Sequence, residues 1–252
     1  MRTIHHPDLD VKFLGPSIEK GSYPAVFYFA LSSTDSLCVD PFNQPVTPLI
    51  GPYLRIFSVS LPDHTENINP HSAIQIWAQK LNSDPSYLSR FIEKVVDFIE
   101  NLINLEVIDK DNLSVMGLSR GGFMAMHTAA LIPHIKHILA FAPVTDLLKL
   151  KEFEHFEQNE DTSPYNLRYA IPKLIKKNIR FYIGNRDKRV NTDACYHFMS
   201  SLTDWSYQQG ISSPPLELII SPSAGHMGHG TLPHIFSDGA KWLLNKMSLN
   251  YD

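Results

Sequence analysis

The stretch GLSRGG, residues 117–122, sets a serine between glycines in the pattern G-x-S-x-G. In that pattern a sharp strand-to-helix turn lifts the serine hydroxyl above a sheet, where it attacks an acyl carbon. A serine hydroxyl is a poor nucleophile until a base takes its proton, so a histidine and an acid that orients it are required. Further along, GNRDKRV supplies Asp187 and SAGHMGHG supplies His226 and His229. Asp187 is the expected acid and His226 the expected base for Ser119. His229 is the rival of His226, and Asp146, in APVTDLL, is the rival of Asp187. Asp146 also reads simply as the N-cap of a helix over LLKLKEF. Glycine and serine are common residues, so the pentapeptide needs its structural context before it carries weight.

Apolar and aromatic runs recur along the chain: VKFL (11–14), AVFYFAL (25–31), RIFSVSL (55–61), LSVMGL (113–118), HILAFAP (137–143), IRFYIG (179–184) and LELIIS (216–221). Most are near-continuously apolar, as strands buried on both faces of a parallel sheet are. Helical patterns lie between them. Asp84-Pro85 predicts a helix start, with Leu88, Phe91, Ile92, Val95, Phe98, Ile99 and Leu102 at helical spacing behind it. Further helices are predicted over about 121–132 and 193–207 and from about Thr231 onward. Strands alternating with helices imply βαβ crossovers and a mostly parallel sheet. The serine then sits where an apolar strand ends and a helix begins, and Asp187 and the histidines lie just beyond later strands. In such sheets ligands gather at the carboxyl edge, so these residues converge there.

The segments IDKDNLSVMGLSRGGFMA (108–125), GNRDKRV and SAGH resemble the α/β-hydrolase superfamily, nearest its prolyl-oligopeptidase-like and dienelactone-hydrolase-like branches. The similarity runs from about Ala25 to the C-terminus. It implies an α/β-hydrolase fold, a mostly parallel central sheet flanked by helices, with catalytic order serine, acid, histidine and no cofactor. Many members carry His-Gly after the third strand, where a backbone N–H completes the oxyanion hole. Here the stretch is FALSS (29–33). A backbone donor needs no particular side chain, so Leu31 is expected to supply it beside the Arg120 N–H, with Ser32 as the alternative. The resemblance implies a serine hydrolase acting on a small acyl substrate, first a carboxylic ester or thioester. Small-peptide or amide hydrolysis and acyl transfer use the same residues. Prolyl-oligopeptidase-like enzymes typically add a propeller domain, for which 252 residues leave no room, and this weighs against peptides. A non-catalytic binding protein on the same fold is the alternative from another class.

The chain's length suits one α/β domain over residues 1–252, with lid elements and pocket walls expected at 62–90 and 145–175. The charged run KLKEFEHFEQNED (149–161) reads as a solvated helix face and secondarily as part of such a lid. A hydrophobic content of 43% and a charged content of 19% exclude disorder. A net charge of −4 and a pI near 6.3 leave no basic footprint for nucleic acid. Cys38 and Cys195 form neither a disulfide framework nor a C-x-x-C pair and are expected as reduced thiols. With no leader-like start in MRTIHHPDLD and no run approaching the ~20 apolar residues of a membrane span, a cytoplasmic location is expected. His226 and His229 form H-x-x-H without the acidic residue of a zinc helix, and no metal is expected. His127, inside the helix after Ser119, is expected to pack, and His64, after RIFSVSL, to line the pocket or sit in a loop.

Overall fold

The computed structural model describes residues 1–64, 70–156 and 165–249. Each apolar run forms a strand: β2 (Val11–Leu14), β3 (Tyr23–Phe29), β4 (Arg55–Val59), β5 (Ile108–Leu118), β6 (Ile135–Phe141), β7 (Asn178–Gly184) and β8 (Leu216–Ser221). A short strand, β1 (Arg2–Ile4), precedes them; three residues, Arg-Thr-Ile, are too few to show an alternation. All join one sheet in the order β1-β2-β4-β3-β5-β6-β7-β8. β1–β2 and β2–β4 pair antiparallel, and every neighbouring pair from β4 to β8 is parallel. The mostly parallel sheet read from the strand pattern is therefore present. The ends of three runs, Ala30-Leu31, Ser60-Leu61 and Ala142-Pro143, leave the sheet as loops. Their apolar character comes from burial at the site edge, with Ala30, Leu31, Leu61 and Ala142 all buried.

Both faces of the sheet are covered. Phe27, Phe29, Phe57, Val59 and Val115 point into one core, and Val26, Tyr28, Ile56 and Met116 into the other, the period-two alternation of a two-sided sheet. The first core is closed by α2 (Pro70–Ser83), α3 (Tyr87–Asn104), α4 (Arg120–Leu131), α5 (Ile171–Leu174) and α6 (Thr192–Gln208). The second is closed by α1 (Ser33–Cys38) and α7 (Pro233–Lys246). α3 buries Leu88, Ile92, Val95, Phe98, Ile99 and Leu102, the stripe its sequence predicts. It starts at Tyr87, later than Asp84-Pro85 implied. The Asp84 N–H donates to the Lys80 carbonyl at 2.8 Å and the Asp84 carbonyl accepts from the Tyr87 N–H at 3.0 Å, so this dipeptide closes α2 and forms the turn that leads into α3. The helix expected over LLKLKEF is two 3-10 turns, Leu147–Lys149 and Lys151–Phe153. The far end of the charged run, 157–161, lies outside the described residues. Among the described residues no helix is long and apolar enough to cross a membrane.

The strand order sets the site. β4 and β3 lie on one side of β5 and β6 on the other, so the loops after β3 and β5 diverge and leave a crevice at their carboxyl ends. Phe29 is in register with Gly117, which brings the FALSS loop alongside the serine turn.

Candidate active site

Ser119 links β5 directly to α4 with φ 54° and ψ −119°, a backbone region that costs a non-glycine residue about 1–3 kcal/mol. The surrounding backbone holds it there. Its N–H donates to the Phe141 carbonyl at 2.9 Å, and its carbonyl accepts from the Gly122 and Val144 N–H groups at 2.9 and 3.1 Å. A Cβ on Gly121 would overlap the Phe29 carbonyl, so the turn passes β3 this closely only with glycine there. The strand-to-helix context expected for GLSRGG is thus met.

Asp187 follows β7 and is buried. One of its oxygens, Oδ1, accepts from the Arg189 and Val190 N–H groups at 2.9 and 3.0 Å, and its own N–H donates to Thr192 Oγ1 at 2.9 Å. The carboxylate is thereby aimed by its own turn, leaving Oδ2 for a partner. That partner is His229, whose Nδ1 lies 2.7 Å away. The other ring nitrogen of His229, Nε2, lies 2.9 Å from Ser119 Oγ. Asp146, the alternative acid, is occupied elsewhere: it caps the turn at Leu147 by accepting the Leu148 N–H at 3.0 Å and takes Asn166 Nδ2 at 2.9 Å.

The expectation for His226 is corrected by this geometry. The two histidines are three residues apart, and the structure turns His229, not His226, onto Ser119 and Asp187. His226 is exposed on the 3-10 turn His226–Gly228. Two interactions draw the loop inward after that turn. The Lys188 N–H donates to the Met227 carbonyl at 2.9 Å, and Gly228, at φ 77°, packs against the Arg186 carbonyl where a Cβ would overlap it. The Asp187 loop thus selects which histidine faces it. The glycine directly before His229, needed for its positive φ, was the available signal in SAGHMGHG, but Gly225 before His226 gave the same signal, at φ 69°.

The oxyanion expectation is corrected in part. The Leu31 N–H donates to Ser36 Oγ at 3.1 Å and is not directed to an incoming oxygen. The Ser33 N–H donates to Ser60 Oγ at 2.7 Å. Ser32, the alternative donor, lies between them, its hydroxyl capping α1 through the Asp35 N–H at 3.0 Å. Serine hydroxyls therefore fix the FALSS loop. Arg120 is the first residue of α4, where backbone N–H groups have no intrahelical acceptor.

Charged groups crowd the same edge. Arg189 forks onto Glu152 at 2.8 and 2.9 Å, tying the Asp187 turn to the 3-10 turn Lys151–Phe153. Arg120 reaches His64 in the loop after β4, with Nη1 2.9 Å from Nε2. Burial, and secondarily the charge of Arg189, lowers the Arg120 guanidinium to about 10, still a cation at neutral pH. Burial first and Arg120 second lower His64 to about 4. His127 packs edge-on against Phe123 within α4, with ring centroids 4.4 Å apart.

Comparison with known proteins agrees with this architecture. A family model described as "Prolyl oligopeptidase family" matches residues 89–249, which include Ser119, Asp187 and both candidate histidines. No curated protein matches in sequence. Among solved structures, acetyl xylan esterase 1 from Thermoanaerobacterium sp. JW/SL YS485 superposes with a TM-score of 0.64 at 16% identity, covering 95% of this chain and 79% of its own. Dipeptidyl peptidase 4 from Porphyromonas gingivalis gives 0.64 at 17% identity over 94% of this chain and 33% of its own. An acylaminoacyl peptidase from Pyrococcus horikoshii gives 0.63 at 15% identity over 100% of this chain and 41% of its own. The chain thus spans less than half of each peptidase. At these identities the likeness is one of fold, and the fold is that of the α/β-hydrolases.

Proposed function

The chain belongs to the prolyl oligopeptidase family and is a serine hydrolase, and we propose that it cleaves small carboxylic esters or thioesters through an acyl-enzyme formed on Ser119. The observation that carries the reading is the His229 ring, held between Ser119 Oγ at 2.9 Å and Asp187 Oδ2 at 2.7 Å. In this reading His229 Nε2 takes the hydroxyl proton as Oγ bonds to the acyl carbon. Asp187 keeps the other proton on Nδ1 and stabilises the imidazolium that forms. The carbonyl oxygen becomes an oxyanion that the N–H groups of Arg120 and Ser32 receive, each such donor contributing roughly 3–4 kcal/mol where it has been measured. The imidazolium then gives its proton to the leaving alcohol or thiol. Water, deprotonated by the same nitrogen, attacks the acyl-enzyme and releases the acid.

Family membership and the names of the peptidase neighbours favour a second reading, hydrolysis of a short amide or peptide by the same residues. A fluorophosphonate probe with mass mapping tests the nucleophile, and turnover of esters, thioesters and aminoacyl amides of matched acyl size separates the two readings. Adduct on Ser119 with ester turnover above amide turnover is the expected result. Preference for the amide would transfer the assignment to the second reading, and an unlabelled, folded protein would sink both.

A further inference from the structure

The sheet ends on two unequal edges. β1 closes one with only Arg2–Ile4, short and carrying a charge, which is how an edge is kept from pairing with foreign strands. β8 closes the other with Leu216–Ser221, paired to β7 in unbroken register and free of lysine, proline or bulge. The Ile179 N–H donates to the Pro215 carbonyl at 3.0 Å and the Asn185 N–H to the Ser221 carbonyl at 2.7 Å. Alternate residues of a strand turn their backbone groups to opposite sides, so Glu217 and Ile219 face β7 while Leu216, Leu218 and Ile220 face outward. The Leu216 N–H turns back to the Pro214 carbonyl at 2.8 Å, and among the described residues nothing bonds the outward groups of Leu218 and Ile220. Ile220 is 50% exposed. An edge that offers donors, acceptors and apolar side chains together is a template for another strand.

The surface beside that edge continues it. α6 lies on the same face of the sheet as Leu218 and meets α5 on one flank, where Ser201 and Trp205 share a groove with Ile171 and Pro172. Helical spacing puts Tyr196, Ser200, Thr203 and Tyr207 on the opposite flank, toward β8, and none of the four is charged. Tyr196 and Tyr207 are 54% and 57% exposed. The one charged side chain of the strand, Glu217, is neutralised by Arg180 and accepts Trp242 Nε1–H at 2.9 Å. A patch with no uncompensated charge, centred on an edge strand, fits a second copy of itself because neither side repels the other. We propose that β8 is the interface of a homodimer, in which two copies pair their β8 strands antiparallel about a two-fold axis at Leu218. Leu218 of each copy exchanges both backbone hydrogen bonds with Leu218 of the other, and each Ile220 N–H donates to the Leu216 carbonyl opposite it. Glu217 then sits across from Ile219, and the two α6 flanks meet over the axis through their tyrosines, a residue enriched at interfaces. An axis at Glu217 would set two carboxylates opposite each other, and an axis at Ile219 would face the Leu216 carbonyl with Pro222, which has no N–H. β8 runs directly into the loop that carries His229, so the contact adjoins both active sites.

This surface is independent of the reaction, so its test stands apart from the hydrolase reading. Analytical ultracentrifugation of the full chain from about 1 to about 100 µM reads the assembly, and amide hydrogen exchange over 215–222 reads the edge itself. Wild type is expected to sediment as a dimer at the upper concentration, with exchange at Leu218 and Ile220 slowing as the dimer forms. Ile220→Pro removes only an outward N–H and Ile220→Lys puts a charge on the edge, so both should keep the wild-type circular dichroism and sediment as monomers throughout. Tyr196→Lys/Tyr207→Lys sets like charges across the axis and should raise the dimer Kd about tenfold or more. A wild type that stays monomeric would overturn the proposal and leave the edge to a strand of another protein. A dimer whose Leu218 and Ile220 amides exchange as fast as those of the monomer, a dimer that survives both Ile220 changes, or assembly beyond the dimer, which one such edge per copy does not build, would overturn it equally. Should neither Ile220 variant fold, the tyrosine double variant decides, and an unchanged Kd in it would overturn the proposal.

Discussion

The turn at Gly117–Gly122 and the loop between Ser221 and Gly230 each present one side chain of the Ser119–His229–Asp187 chain, and they hold it by different means. The serine turn is enclosed by β3, β6 and α4, and its strained residue is fixed by backbone bonds to Phe141, Gly122 and Val144. The histidine loop hangs from the edge strand β8, carries Met227 44% exposed, and is held through the neighbouring Asp187 loop. A serine aimed by the core of the sheet is therefore met by a histidine aimed by a loop-to-loop contact. Errors in the first are expected to unfold the site, and errors in the second to misalign it.

The largest effects should come from the reacting atoms themselves. Ser119→Ala and His229→Ala should each lower kcat by about 10⁵-fold or more with thermal melting little changed, whereas His226→Ala should stay within about twofold of wild type. Steady-state kinetics on the three variants reads this directly. A large loss in His226→Ala with an active His229→Ala would show that the loop adopts the other register in solution. Asp187→Asn should cost about 10⁴-fold in kcat, because an amide facing Nδ1 favours the wrong tautomer. Near-normal turnover there would return the acid role to Asp146.

Legibility in the sequence follows the same division. Ser119 and Asp187 were readable because adjacent residues fix their conformation: glycines around the serine, and the Asp187 carboxylate closing its own turn. His229 was not separable from His226, since SAGHMGHG offers two Gly-His pairs and the choice is made by Arg186 and Lys188, more than thirty residues away. Leu31 was misplaced for a similar reason, its N–H being claimed by the Ser36 hydroxyl from the next helix. The strand positions and the bounds of most of the expected helices were legible because continuous apolar runs and the α3 stripe are local patterns. The region 70–83 shows a signal that was present and unread: Ala73, Ile74, Trp77, Ala78 and Leu81, all buried, form the helical stripe of α2. The short β1 and the 3-10 turns over Leu147–Phe153 carry no periodic signal long enough to read.

A smaller step sets glycine against glycine. Gly121→Ala places a methyl group on the Phe29 carbonyl inside the sheet, and should destabilise the whole fold by about 3 kcal/mol or more, read as a fall in thermal midpoint. Gly228→Ala places one on the Arg186 carbonyl at the rim and also forces alanine to φ 77°. There the loop can shift outward, so kcat should drop about 10- to 100-fold while the melting temperature moves little. Equal thermal losses in the two variants would show that the histidine loop is as integral to the fold as the serine turn, and the contrast between core-aimed and loop-aimed groups would fail.

The smallest expected effect concerns pH and the buried side. His64 is lowered from 6.5 to about 4 by burial and by Arg120, so the folded state binds its proton less readily than the unfolded chain. Its contribution to stability is whole above about pH 6.5 and is lost as pH falls toward 4, because protons then favour the unfolded state. At pH 4.5 the loss relative to pH 7 amounts to roughly 2–3 kcal/mol from this group. His137, lowered to about 4 by burial and by Lys246 and Lys136, acts in the same direction. Denaturant melts at pH 7 and 4.5 should therefore show a smaller acid loss in His64→Gln than in wild type. Identical acid losses in wild type and His64→Gln would mean that the ring protonates in the folded protein without penalty, which the two-sided grip of the Pro62 carbonyl and Arg120 on a neutral ring does not allow.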